Sequence, residues 1–151
     1  MESIQKETLV EEALKARSFS YSPYSNYQVG AALLTKSGKI YRGCNIENAA
    51  YGPSNCAERT AFLKAVSEGE REFAAIAIVG GKASDTPLAP GDYEKSVSDM
   101  AYPCGVCRQV MREFCDPENF LIIVAKSATD YEERTLAELL PDSFGPANLE
   151  N

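Results

Sequence analysis

The sequence predicts an α/β sandwich built on a mixed sheet. Three observations carry that expectation. Apolar residues recur at helical spacing in separate stretches of the chain. Short runs rich in Val, Ile, Leu and Ala lie between them, bounded by glycines or turn formers. Their order is helix, hairpin, then helix–strand–helix–strand. Hairpin strands pair antiparallel, and strands joined through a helix pair parallel. The 151 residues suit one domain, residues 1–151, with a contiguous core.

Residues 4–18 place Leu9, Val10, Ala13 and Leu14 on one face, which predicts an amphipathic helix packed on the sheet. The run Ser20-Tyr-Ser-Pro-Tyr-Ser-Asn-Tyr27 is rich in turn formers, and Pro23 stops the helix from continuing. Its three tyrosines read first as packing and second as a pocket wall, because an aromatic face lies well on a planar ring. Residues 29–34 predict a strand, Lys36-Ser-Gly-Lys39 a turn with Gly38 at positive φ, and residues 40–45 the returning strand. A loop around Gly52 and Pro53 follows. Residues 56–68 predict the second helix, with Ala57, Ala61, Phe62, Ala65 and Val66 inward and Gly69 as its stop. Residues 73–79 are continuously apolar and predict a central strand, closed by Gly80-Gly81. Residues 82–102 show no periodicity, and a loop that long in a compact domain is functional or mobile. A third helix is expected over 104–115, a strand over 120–125, a short strand near 131–134 and a short helix over 135–140, stopped by Pro141. Phe144 stands alone in a polar tail.

Composition narrows the function. The apolar share of 44% and charged share of 25% are those of a soluble globular protein. No run approaches a membrane span, and the N-terminus is polar, so no membrane association and a cytoplasmic location are expected. The net charge of −7 argues against nucleic acid as a partner, since phosphate binding needs clustered Lys and Arg. It leaves room for an unphosphorylated nucleoside. Five cysteines, an odd number, point to metal, redox chemistry or burial rather than a disulfide framework. There is no histidine, so a proton shuttle near neutral pH has to be a carboxylate.

Asn55-Cys-Ala-Glu-Arg-Thr and Pro103-Cys-Gly-Val-Cys107 each put a cysteine at a helix start, where free N–H groups stabilise a thiolate. Cys-x-x-Cys alone fits zinc, a redox disulfide or chance. A further cysteine at another helix start favours a metal held by Cys56, Cys104 and Cys107. Cys44, in a strand, and Cys115, far down its helix, read as buried core thiols. Three sulfurs and an open fourth position are the pattern of a catalytic rather than a structural zinc. Three thiolates on Zn²⁺ leave excess negative charge. Arg59 either lies against the sulfurs and offsets it or is an exposed helix arginine; local sequence does not choose. Glu58, beside the cluster, is placed to accept a proton from water and deliver it to a substrate. Asn45-Ile-Glu-Asn48 offers amides and a carboxylate for hydroxyl groups, although such residues also make ordinary loops.

Cys56-Ala-Glu-Arg59 followed by Pro103-Cys-Gly-Val-Cys107 resembles the signature of the cytidine deaminases. Tyr24-Ser-Asn-Tyr-Gln-Val-Gly-Ala-Ala, Gly43-Cys-Asn-Ile-Glu-Asn-Ala-Ala-Tyr, Cys107-Arg-Gln-Val and Glu138-Leu-Leu-Pro extend the likeness to the small homotetrameric members, over residues 21–144. The resemblance implies a three-layer α/β/α sandwich with a mixed five-stranded sheet. It implies zinc-dependent hydrolysis of cytidine or 2′-deoxycytidine to uridine or 2′-deoxyuridine and ammonia. By position, Cys56, Cys104 and Cys107 match the zinc ligands, Glu58 the proton shuttle and Arg59 the arginine that compensates the third thiolate. Asn45 and Glu47 match residues that hold the ribose 3′-hydroxyl, and Ala57 one whose backbone meets the base. Tyr27 stands where relatives pack a phenylalanine on the base. Tyr51 and Phe144 resemble aromatics that enter a neighbouring subunit's site. Three features depart from the pattern: the Tyr27 hydroxyl, the long 82–102 segment, and Pro53-Ser54 ahead of the motif. A blasticidin S deaminase shares the core motifs but has to admit a bulkier nucleoside. A polynucleotide-editing enzyme and a non-catalytic zinc or redox module are the remaining alternatives.

Overall fold

The computed structural model describes residues 1–150. Its centre is strand β3 (Phe73–Lys82), buried on both faces. Before it come helix α1 (Ser3–Arg17), the hairpin β1 (Tyr27–Thr35) and β2 (Ile40–Cys44), and helix α2 (Ala57–Ser67). After it come α3 (Gly105–Phe114), β4 (Leu121–Ser127), β5 (Asp130–Thr135), the short α4 (Leu136–Leu139) and a 3-10 turn at Pro146–Leu149. The sheet order is β2-β1-β3-β4-β5. Only the β3–β4 pair is parallel; the other pairs are antiparallel. The sheet is therefore mixed, as the helix and hairpin connections require.

Two cores lie on opposite faces of the sheet. Along β3, Ile76 and Ile78 point towards α2 and α3, while Ala75, Ala77 and Val79 point towards α1. Larger side chains fill the two-helix side. There Phe62 meets Phe73, Phe114 and Phe120 at ring-centroid distances of 5.0, 6.2 and 6.1 Å. Each such buried aromatic stabilises the fold by roughly 2–3 kcal/mol. On the other face, α1 buries Leu9, Val10, Ala13 and Leu14, the stripe expected from its spacing.

Two glycines set how near the helices come. A Cβ at Gly30 would run into the backbone of Ala13 and Arg17 in α1. A Cβ at Gly43 would run into the backbone of Ala57 and Ala61 in α2. The first turn of α2 is thus seated directly on β2.

Two expectations are corrected. β3 does not close at Gly80-Gly81 but runs through both to Lys82. The glycines are needed because chain passes over them: a Cβ on Gly80 would meet the Ala101 Cβ at 2.6 Å, and one on Gly81 the Val97 Cβ at 3.3 Å. The segment after β3 is likewise tied to the sheet. Its bridges join Gly80 to Asp99 and Ser96 to Ser127, and the Val97 N–H donates to the Lys126 carbonyl at 2.8 Å. The buried Arg17 guanidinium holds its base. It donates to the Gln28, Gly81 and Lys82 carbonyls at 3.0, 2.9 and 2.8 Å and to Glu94 Oε2 at 2.7 Å. No helix among the described residues is long and apolar enough to cross a membrane.

Candidate metal and catalytic site

The topology brings two helix N-termini to one end of the sheet. α2 starts after β2 and α3 after β3, and those strands point the same way with β1 between them. Ligands bind by preference outside such strand ends, where helix N–H groups converge. Cys56 is the N-cap of α2 and Cys104 the N-cap of α3, both in extended backbone. The Cys107 N–H donates to the Cys104 sulfur at 3.5 Å.

The three predicted ligand sulfurs, Cys56, Cys104 and Cys107, all lie within 4.8 Å of one another. Cys56 Sγ and Cys104 Sγ are 3.9 Å apart. Tetrahedral zinc with Zn–S bonds of about 2.3 Å needs an S···S edge of about 3.8 Å. The donor set therefore fits Zn²⁺ in size and softness. No other group of three or more Cys, Asp or Glu side chains among the described residues meets that geometry. Cys44 is half-buried and Cys115 buried, and burial raises both thiol pKa values, that of Cys115 to about 12. They are core thiols, as their positions suggested.

Without a cation the sulfurs share charge unevenly. The Cys56 pKa falls to about 5, chiefly because the Cys107 thiol donates to it, with Arg59 adding to the effect. Cys107 is pushed up, first because its proton is held by Cys56 and then by burial. The cluster readily carries one thiolate and resists a second. A divalent cation removes that resistance by neutralising the charge.

Arg59 lies against the sulfurs, which settles the alternative that the sequence left open. Its Nη2 donates to Cys56 Sγ at 3.2 Å, and the thiolate holds the guanidinium in its charged form. Its Nε is buried without a hydrogen-bond partner. Glu58, in the first turn of α2, is 4% exposed. Burial lifts its pKa to about 7, and the Cys56 thiolate adds to the rise. A carboxyl poised there can both accept and donate a proton near neutral pH.

The sulfurs open into a cavity of about 420 Å³ lined by Tyr27, Val29, Asn45, Ala57, Glu58 and the Met100–Tyr102 stretch, besides Cys56 and Cys104. Asn45 reaches it with its side chain already engaged. Oδ1 accepts from Ser20 Oγ and the Val29 N–H, and Nδ2 donates to the Tyr27 carbonyl at 2.8 Å. One Nδ2 proton remains for a ligand. Glu47 lies outside the cavity, in a separate depression with Tyr24, Ser25, Tyr51 and Ser54. It accepts from the Tyr24 and Ser25 N–H groups at 3.0 and 3.1 Å and from Ser25 Oγ, and these bonds lower its pKa. Tyr51 and Phe144 are 72% and 59% exposed and do not line the cavity within one chain. Sequence reasoning missed Val29, Met100, Ala101 and Tyr102. The length of the 82–102 segment signalled function, but nothing local marked which residues return to the cavity.

The family description "Cytidine and deoxycytidylate deaminase zinc-binding region" matches residues 3–123. A cytidine deaminase of Sporosarcina psychrophila is 48% identical over 95% of this chain and 93% of its own length. One from Halalkalibacterium halodurans is 45% identical over 93% and 95%. Among solved structures, a cytidine deaminase from Burkholderia pseudomallei superposes with a TM-score of 0.73 at 45% identity, covering 91% of this chain and 97% of that one. The cytidine deaminase of Mycobacterium tuberculosis gives 0.70 at 36% identity, covering 91% and 95%. With three thiolate donors, a compensating arginine and a buried carboxyl meeting at one cavity, the chain belongs to the cytidine and deoxycytidylate deaminase family.

Proposed function

We propose that the protein hydrolyses cytidine and 2′-deoxycytidine to uridine and 2′-deoxyuridine, releasing ammonia, in pyrimidine salvage. The observation that carries this reading is the buried Glu58 carboxyl, opening with the cysteine cluster into a cavity that Tyr27 and Asn45 also line. Zinc held by Cys56, Cys104 and Cys107 lowers the pKa of a water molecule to about 7. Glu58 accepts the proton from that water and gives one to ring N3 of the cytosine, making C4 electrophilic. Glu58 then protonates the departing amine, so that water enters and ammonia leaves with all protons balanced. The Tyr27 ring packs on the base, and the Ala57 backbone meets its polar edge. Asn45 and Glu47 hold the ribose 3′-hydroxyl, Asn45 through its remaining N–H.

Tyr51 and Phe144 contribute to a neighbouring subunit's site in a homotetramer; their exposure on the isolated chain supports this. The enzyme acts in the cytoplasm on free nucleosides, with no nucleic-acid partner, which agrees with its net charge of −7. The test uses zinc-loaded protein and cytidine, with uridine and ammonia measured together. Glu58→Gln keeps its zinc and loses on the order of 10²–10⁴-fold in kcat. Persisting turnover in that variant refutes the proton role, and no uridine from the unaltered protein refutes the substrate.

A further inference from the structure

Tyr27 carries a hydroxyl that packing on a base does not use. It opens β1 and pairs with Lys82 at the end of β3. Its ring edge lies over Gly80: a Cβ there would sit 3.2 Å from Tyr27 Cε1 and 3.3 Å from its hydroxyl oxygen. The same point is shared by Ala101, and the Gly80 backbone is bridged to Asp99. The ring, the glycine and the returning segment thus meet at one place on the cavity rim. The Tyr27 hydroxyl faces the Asp99 carboxylate within hydrogen-bond reach. Burial and that carboxylate both favour the protonated phenol, the form able to donate. Asp99 Oδ1 also accepts from Ser98 Oγ at 3.3 Å, within its own turn.

We propose that Asp99 is a positioning residue: by accepting the Tyr27 hydroxyl it orients the ring and pins the Met100–Tyr102 cavity wall to β1. It rests on the reading of Tyr27 as the ring that packs on the base. The long segment then does not act as a free flap. Its two attachments upstream, at Glu94 and at Val97, hold it to Arg17 and to β4. The Asp99 contact is the one that reaches the cavity. A hydroxylated ring in place of a bare one is what allows the attachment, because phenylalanine has no group for a carboxylate to receive.

The test compares zinc-loaded Tyr27→Phe, Asp99→Ala, Asp99→Asn and the Tyr27→Phe/Asp99→Ala pair in the full chain. KM and kcat for cytidine are measured, together with hydrogen exchange over residues 96–102. Loss of one such bond should raise KM roughly five- to tenfold in Tyr27→Phe and in Asp99→Ala, with kcat changed less than about threefold. The double variant should be no worse than either single one, since both remove the same contact. Asp99→Asn, whose amide oxygen still accepts, should hold KM within about twofold. Exchange over 96–102 should quicken in both single variants. Additive KM effects, an unchanged KM, or Asp99→Asn behaving like Asp99→Ala overturns the proposal. The exchange measurement needs no turnover, so unaltered exchange refutes the attachment even if cytidine proves not to be the substrate.

Discussion

Gly43→Ala tests whether the seat of α2 on β2 sets the catalytic geometry. The added Cβ would lie 2.5 Å from the Ala61 nitrogen and 3.0 Å from its Cα, with the Ala57 carbonyl oxygen nearer still. All three are helix backbone and cannot rotate away. Restoring ordinary contact requires α2 to retreat by about 1 Å. Overpacking of this kind costs about 1–3 kcal/mol, or roughly 3–10 °C in Tm for a chain of this size. The functional loss should be larger than that figure suggests. The displaced turn carries Ala57, Glu58 and Arg59 and is preceded by Cys56. A shift of about 1 Å at reacting groups costs on the order of 10²-fold in kcat. Gly38→Ala is the control. Gly38 sits at φ +97° in the β1–β2 turn with open space around it, so its substitution strains the backbone without touching α2. It should cost about 1 kcal/mol and leave kcat unchanged. Circular-dichroism melts and initial rates at saturating zinc measure both. If Gly43→Ala loses stability but keeps kcat within twofold, the helix seat does not position Glu58 and the reasoning fails.

Arg17→Met should cost about 3–5 kcal/mol and lower Tm by on the order of 10 °C, because Glu94 and three backbone carbonyls lose their donor together. A Tm change below about 2 °C would show that those groups find water instead. Arg59→Ala should weaken zinc binding about 10–100-fold in a competition with a chromophoric chelator, as the Cys56 thiolate loses its donor; unchanged affinity would contradict charge compensation. In metal-free protein, Glu58 binds its proton more tightly when folded, its pKa rising from 4.5 to about 7. The folded state then holds more protons than the unfolded one across that window, so this group's contribution falls as pH rises through it, by roughly 3 kcal/mol. Denaturant titrations should show metal-free Glu58→Gln gaining stability relative to the unaltered chain between pH 5 and about pH 8, and a constant difference would refute the burial cost.

The ligand set was legible because each part obeys a local rule. Cys56 and Cys104 stand at the starts of apolar-periodic helices, Cys107 one turn on, and the absence of histidine removes the usual competitor. The helices and sheet followed from periodicity for the same reason. What stayed hidden depends on contacts between distant residues. Gly80-Gly81 looks like a strand stop by composition. Its true reason, the passage of Val97 and Ala101 overhead, appears only when the long segment folds back. Asn45 looked like a free hydroxyl-binding amide, yet its Oδ1 is taken by Ser20 and Val29. Whether Arg59 faces solvent or sulfur was undecidable from the α2 sequence, since α3 supplies the other half of the cluster.

Charge balance explains why the cluster and Glu58 need one another's surroundings. Three thiolates on a divalent ion carry a net −1, which should blunt the ion's pull on a bound water. Arg59 Nη2 at 3.2 Å from Cys56 Sγ brings the group back towards neutrality. A lysine could place a charge there but not the rigid planar fork that keeps it against the sulfur. The nearly neutral group in turn allows a carboxyl to be buried beside it. Against an uncompensated anion, Glu58 would be pushed further towards its protonated form and lose its capacity as a base. Arg59 therefore acts on the proton transfer twice, once through the sulfur and once through the field at Glu58, where it opposes the rise caused by burial and Cys56. Its substitution should consequently lower kcat even at saturating zinc, which separates it from a residue that serves metal affinity alone.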